Sequence, residues 1–416
     1  MQMDITLNGG QEELIERLLN WWKAYQSGNR IMDHPQWFAY SGAAGTGKTT
    51  CIEEFINRIG LDDSEYMCCA YVGKAVLNLQ RHNLPACTIH SLIYTPIIDQ
   101  IPLEGMFTAD GKQKYKMVFR FILKEKLEEN LRLIIVDEAT MVNNDLRDKL
   151  LSFGLPIVFI GDMNQLPPIF GISEVMMYPD YCLTQIMRQS ENDPIVILSQ
   201  MVLHDEEIPL GKFGLSEVVS DYDITLDSLD EFGMMLCAKN ATRDKLNKHI
   251  IHDLLRRPDD APFIGAKVVN RQNDWDHAVD GVSLTNGLIG YITNFTKRAS
   301  YNGYYKIDFR PDFMTGEFED LKIDKAYFHM DYAERKNFGI SKYNKFEFAY
   351  WITTHISQGS EANSVLFLDE HMWDRELTQK LQYTAITRAK ERIVIIKNMR
   401  KPVNPYIQLY NERFVA

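Results

Sequence analysis

The stretch Gly42-Ala43-Ala44-Gly45-Thr46-Gly47-Lys48-Thr49 constrains this chain more than any other feature, because the pattern G-x-x-x-x-G-K-[ST] has a fixed structural setting. Its glycines let the backbone curl until successive N–H groups point at one spot, and a helix N-terminus behind them adds partial positive charge. That setting is present. The apolar run 37–40 reads as a strand entering the loop, and the residues through 59 read as a helix leaving it. A glycine-rich turn that matched by accident would not sit between the two. The loop therefore predicts a site for a nucleoside triphosphate. Lys48 reaches the β- and γ-phosphates, the Thr49 hydroxyl holds Mg2+, and Thr50 stands beside it on the first helical turn.

Such a loop needs an acidic partner at the end of a neighbouring strand. Residues 131–136 form a continuous, β-branched run, as a strand covered on both faces should, and the run ends in Asp137-Glu138. Asp137 is placed to hold the magnesium, directly or through water, and Glu138 to orient and deprotonate the attacking water. Paired acids at a strand end can equally be a solvated turn; the buried run before them and the glycine loop upstream favour chemistry. A further strand, 156–160, leads into Gly161-Asp162-Met163-Asn164-Gln165. The neutral Gln165 amide suits a group that touches both the γ-phosphate and water. The bland alternative is a polar loop closed by Pro167 and Pro168.

Strands at 37–40, 66–71, 131–136 and 156–160 alternate with helices, the first at 11–25, so this part reads as a doubly wound parallel sheet. The pattern restarts with a strand at 233–238, a helix at 242–255 and strands at 348–352, 364–368 and 392–396. We expect two α/β domains, 1–189 and 190–416. Residues 93–128 hold an Asp110-Gly111 turn signal and an alternating run, and residues 288–345 are rich in Tyr, Phe, Gly, Asp and Lys; both read as β insertions. No apolar run nears the roughly 20 residues that span a bilayer, and the N-terminus lacks a secretory pattern, so no membrane role is expected. The six cysteines form no CxxC pair and read as reduced thiols of a cytosolic chain. The net charge of −12 predicts an acidic exterior. A polyanionic partner would have to be held by a local groove of N–H groups, hydroxyls and a few lysines.

With Asp137-Glu138-Ala139-Thr140-Met141 and GDMNQLPP at 161–168 both in place, the chain resembles superfamily 1 helicases of the RecD-like and Dda-like branch. YVGKAV at 71–76, TIHSL at 88–92, LTQIMRQ at 183–189, LTNGLIG at 284–290, ITTHISQGSE at 352–361 and LQYTAITRAKERIVII at 381–396 follow in that branch's order. The resemblance implies an α/β fold of two RecA-like P-loop NTPase domains with parallel sheets. It implies a hairpin pin as the first insertion, with Phe107 and Tyr115 as wedge candidates, and an SH3-like module as the second. ATP is the implied nucleotide. Gln11 would recognise its adenine, Gln358, Gly359 and Glu361 would couple it to DNA, and Arg188 and Arg388 would be arginine fingers. DNA contacts would come from Lys74, Thr88, His90 and Ser91 in the first domain and from Asn286, Thr354 and His355 in the second. Two departures stand out: Ile356 replaces the branch's usual lysine, and Tyr71-Val72-Gly73 strays from its pattern.

The implied activity is that of an ATP-dependent 5′-to-3′ DNA helicase, with magnesium as cofactor and single-stranded DNA and a duplex fork as substrate. Its direction follows from the resemblance alone. Single-strand-binding, replication or recombination proteins are the implied partners of a monomer working in the cytoplasm, the host's if the chain is phage-encoded. The alternatives are a strand-stimulated translocase that remodels protein–nucleic acid complexes and a nucleotide-gated strand-binding module. A pure switch would not need Glu138 and two arginines together.

Overall fold

Two six-stranded sheets carry the chain. The structure is a computed structural model that describes residues 7–28, 36–107, 113–168, 171–185, 193–279, 282–296, 303–339 and 341–397. The first sheet runs, across its width, Ala86–Thr88, Tyr66–Ala70, Leu133–Asp137, Ile157–Gly161, Trp37–Gly42 and Tyr181–Leu183. All of its pairings are parallel. The central strands are almost wholly buried because helices cover both faces. Leu14, Trp21, Trp22 and Phe55 fill one side, and Leu92, Leu146 and Leu150 the other. Parallel alignment brings the C-terminal ends of three adjacent strands, at Gly42, Gly161 and Asp137, to one edge, where open α/β sheets bind ligands.

The second sheet runs Trp351–Thr353, Met234–Cys237, Ala362–Asp369, Ala389–Lys397, Ser216–Val219 and Gly211–Phe213. Its first five strands are parallel. The last is antiparallel, so the expectation of an all-parallel second sheet is corrected to a mixed one. The reason is local: only Gly214-Leu215 separates Gly211–Phe213 from Ser216–Val219, and a two-residue connection allows no crossover. Chemically unmarked, the 190–232 segment supplies this hairpin and the helix Pro194–Leu203.

A third sheet of five antiparallel strands spans Lys267–Asn270, Ile289–Thr296, Tyr304–Pro311, Phe318–Asp324 and Phe346–Phe348 around its own core of Val268, Ile292, Phe309, Phe318 and Phe346. It reaches further in both directions than the expected 288–345. The expected strand at 348–352 is in fact two: Phe346–Phe348 closes the antiparallel sheet, and Trp351–Thr353 opens the mixed one. Both are buried, so hydropathy shows no break where the chain changes sheets. In the first insertion, Tyr94–Phe107 pairs antiparallel with Gln113–Leu123 as one long hairpin. Its turn, with Asp110 and Gly111, and the side chains of Phe107 and Tyr115 lie outside the described residues. Among the described residues, no helix is long and apolar enough to cross a membrane.

Candidate nucleotide site and strand cavity

The glycine loop is held open by its own sequence. Gly45 and Gly47 both adopt φ of 81°, a left-handed conformation that side chains disfavour. At Gly42 a Cβ would stand 2.5 Å from Thr46 Oγ1. Thr46 is buried and shapes the loop, its hydroxyl donating to the Ala43 carbonyl (2.9 Å). The Lys48 ammonium donates to the carbonyls of Gly42 (2.8 Å) and Ala43 (3.2 Å). Gln11 is buried against the loop. Its Oε1 accepts from the Asn8 N–H (3.0 Å) and its Nε2 donates to the Thr46 carbonyl (3.0 Å), which leaves one N–H for a base.

A cleft of about 410 Å3 opens beside this loop. Gln11, Ala44, Gly45, Gly47, Lys48, Thr49, Thr50, Asp137, Glu138 and Gln165 line it from the first sheet's side, and Gly359, Glu361, Arg388 and Lys390 from the second's. Asp137 Oδ1 accepts from the Glu138 N–H (2.9 Å). Burial pushes both carboxyls above their ordinary range. Asp137 adds to the rise at Glu138, while Arg388 and Lys48 oppose it. The buried Arg388 guanidinium is held by the carbonyls of Thr384 and Ser360, each at 3.2 Å. Gln165 places Nε2 3.4 Å from Asp162 Oδ2, while its buried Oε1 has no hydrogen-bond partner. An orphaned acceptor in a cleft with an ammonium, a guanidinium and two acids fits a bound triphosphate and its water. Thr49 and Asp137 are the residues that would hold Mg2+. Among the described residues, no group of three or more His, Cys, Asp or Glu could hold a metal. A magnesium bound largely through phosphates needs none.

The cleft is bridged. Leu166 N–H donates to Thr384 Oγ1 (3.0 Å), and the Tyr383 hydroxyl donates to Asp162 (2.8 Å). Gln358 Nε2 donates to the Leu166 carbonyl (3.0 Å). Gln358, expected with Gly359 and Glu361 to couple nucleotide to DNA, borders a second cavity and not the nucleotide cleft. Gly359 packs where a Cβ would stand 2.9 Å from Val72 Cγ2. Glu361 pairs with Lys390 (3.2 Å). Arg188 lies outside the described residues.

The second cavity, about 680 Å3, also runs between the two sheets' elements. Lys74, Asn286 and His355, three of the residues for which DNA contacts are expected, line it, with Ile356 beside them. Motif reading missed Lys239 and Arg271, which line it too but belong to no recognisable pattern. Among the described residues, none of the lining side chains is a carboxylate, in a chain with 57 acids against 45 Lys and Arg. Lys74 also meets Asp312 (3.5 Å). Four expected strand contacts look different in space. Thr354 is fully buried, its hydroxyl donating to the Cys237 carbonyl (3.3 Å), so it is removed from the surface. Thr88 and Ser91 lie outside this cavity and bond to each other in the cap of the helix Ile89–Ile93. His90 is packed among Tyr71, Tyr94 and Phe121, where burial, and secondly Lys149, push its pKa down.

A triphosphate cleft shared by two α/β sheets, with an acid on one side and a buried arginine on the other, defines a two-lobed RecA-like P-loop NTPase fold. The comparisons with known proteins sharpen this class. Residues 31–171 match a family model described as an AAA domain, and residues 348–396 match one described as a UvrD-like helicase C-terminal domain. The ATP-dependent RecD2 DNA helicase of Deinococcus radiodurans is 25% identical over 386 residues, covering 85% of this chain and 46% of that protein. The ATP-dependent DNA helicase PIF1 of Saccharomyces cerevisiae is 28% identical over 182 residues, covering 41% of this chain and 18% of that protein. The chain thus spans less than half the length of these relatives. A crystal structure of Bacteroides Pif1 bound to ssDNA covers 99% of this chain and 97% of that one, at 19% identity and a TM-score of 0.52. A structure of two coordinating Pif1 helicases at forked dsDNA gives 18% identity and a TM-score of 0.53 with the same coverage. In sequence the chain is similar to the RecD2 and PIF1 DNA helicases, and in fold to the Pif1 structures.

Proposed function

We propose that this chain is an ATP-dependent DNA helicase that moves 5′ to 3′ along a single strand and opens forked duplex. One observation carries the reading: Glu138 and Arg388 face the same cleft from opposite lobes, beside a second cavity that crosses the same lobes and, among the described residues, is lined by no carboxylate. We read residues 1–189 and 190–416 as its two motor domains, with the hairpin as a strand-splitting pin. Lys48 and the loop N–H groups hold the phosphates, and Gln11 meets the base. Bound magnesium would offset phosphate charge, held by Thr49 and Asp137. Glu138 takes the proton of the attacking water, Gln165 orients that water, and Arg388 with Arg188 stabilises charge on the transferred phosphoryl group. Such stabilisation depends on the second lobe, so turnover is tied to closure. Lys74, Asn286 and His355, joined by Lys239 and Arg271, hold strand phosphates, with Thr88 and Ser91 at the hairpin's base. Pif1 structures, one bound to ssDNA and one concerned with unwinding at forked dsDNA, support this substrate. Likeness to RecD2 and Pif1 supports the direction. The motor acts as a cytoplasmic monomer, with single-strand-binding or replication and recombination proteins as its partners.

The test is ATP-driven unwinding of 5′-tailed against 3′-tailed duplexes, with strand-stimulated ATPase measured in parallel. The expected result is unwinding of the 5′-tailed substrate alone. Stimulated hydrolysis without unwinding would replace the helicase by a translocase. Absence of stimulation would leave a strand-binding switch.

A further inference from the structure

Tyr71 stands where the chain departs from the branch's usual pattern, and its surroundings give the departure a purpose. It follows Ala70, the last residue of a buried strand, and precedes the helix Gly73–Arg81. The ring is 40% exposed and lines the cavity that also holds Lys74, Lys239 and Arg271. The lining sets apolar groups such as Phe313 and Ile356 beside these cations, so the ring lies where both the bases and the phosphates of a strand would find partners.

That ring is also held. His90 meets it edge-on at 5.5 Å and 77°. Behind His90, Tyr94 stacks at 5.7 Å and 28°, and Phe121 sits at 6.5 Å and 67°. Tyr94 and Phe121 touch each other across the two strands of the hairpin, at 6.0 Å. Four rings therefore connect the cavity wall to the base of the hairpin. The His90 ring is half-buried among these rings, and burial, then Lys149, favours its neutral form, so it is ill suited to be a charged phosphate contact.

We propose that Tyr71 is a stacking platform for a base of the bound single strand and that His90 is the positioning residue that fixes its ring. The proposal rests on the strand-binding reading above and adds a contact to bases where the cationic lining serves phosphates. Stacking of this kind accepts any base, because every base has a π-face. A ring braced on the hairpin would also keep one base in fixed register with the element placed to part the duplex.

The experiment compares affinity for oligo-dT with affinity for an abasic oligomer of the same length, which keeps the phosphates and lacks the bases. The wild-type protein should prefer oligo-dT by roughly 5- to 150-fold, the range set by one stacked base. Tyr71→Ala and Tyr71→Leu should bind both oligomers as the wild type binds the abasic one, and Tyr71→Phe should keep the preference. His90→Phe, which keeps an edge-on ring, should also keep it, while His90→Ala should narrow it. Equal weakening on both oligomers in the Tyr71 variants would overturn the platform. Equal weakening in His90→Phe would make His90 a phosphate donor after all. A wild-type protein that binds both oligomers equally overturns stacking and leaves strand binding intact; one that binds neither removes the strand-binding reading itself.

Discussion

Glu138 sits at φ 51° and ψ 42°, a left-handed conformation, immediately after a buried strand. For a residue with a Cβ such backbone costs of order 1–3 kcal/mol and persists only where its surroundings impose it. Here it accompanies a carboxyl in the cleft whose pKa is raised by burial, then by Asp137. A general base works only when deprotonated, so the acid limb of the ATPase pH profile should lie above the ordinary carboxylate range. Glu138→Gln should retain nucleotide binding and lose roughly 10²–10⁴ in turnover, read by steady-state hydrolysis. The same substitution should raise the melting temperature at neutral pH. A carboxyl whose folded pKa is raised destabilises the fold above its unfolded pKa. The gain should therefore shrink as pH falls towards the ordinary carboxylate range and vanish below it. Arg388 opposes the shift at Glu138. Arg388→Ala should lower turnover by roughly 10³-fold and move the acid limb of the residual activity to higher pH; an unmoved limb would mean the two groups do not share one site. That Lys48, Asp137 and Glu138 come together in one cleft was legible because each is fixed by a short motif at the end of a strand. Thr354 and Gln358 were not, because a motif names a position without saying which way the side chain points. Packing around Cys237 and Leu166, residues far away in sequence, decided that.

At the scale of elements, hydropathy reveals buried strands well and their sheet partners poorly. Glu347 apart, the run 346–352 is apolar, yet it serves two sheets with a crossover at Ala349-Tyr350. The hairpin at 211–219 carries only a Gly214-Leu215 turn as its signal. The lobe interface is equally silent in sequence, and Gly359 shows why. Its φ is 71°, and a Cβ there would stand 2.9 Å from Val72 Cγ2 and 3.3 Å from Ala75 Cβ, on a helix of the other lobe. Gly60 has nearly the same φ, 68°, but a Cβ there would meet nothing within 4 Å. Gly60→Ala should thus register the backbone strain alone, about 1 kcal/mol. Gly359→Ala should add an overpacking cost of about 1–3 kcal/mol and hold the lobes apart. Denaturation of the two variants isolates that difference, and strand-stimulated ATPase should fall only in Gly359→Ala. Equal losses in both would mean the lobes are not packed against each other at this point.

For the whole molecule, charge and shape pull in opposite directions. A chain of net charge −12 should repel a polyanion, so any strand must be drawn in by local charge alone. Lys74, Lys239 and Arg271 supply it in the larger cavity, and Lys74 borders the nucleotide cleft as well. The helix that carries Lys74 therefore touches both ligand sites, and strand and nucleotide should tighten each other by the same factor. The strand site has a measurable electrostatic signature. Each single-strand phosphate neutralised contributes a slope of about −0.7 to log affinity against log salt, so three cations predict a slope of about −2. Lys74 already meets Asp312 (3.5 Å) and Arg271 lies 3.5 Å from Glu347, so these two exchange one anion for another on binding. Lys239, whose ammonium donates to the His371 carbonyl (3.1 Å), makes no such exchange with that partner and should show its full share. Lys239→Ala should make the slope shallower by about 0.7 and weaken oligo-dT and abasic strands alike. A wild-type slope near zero would remove this cavity as the track. A slope far steeper than −2 would mean that much of the strand lies outside it, along surfaces such as the hairpin.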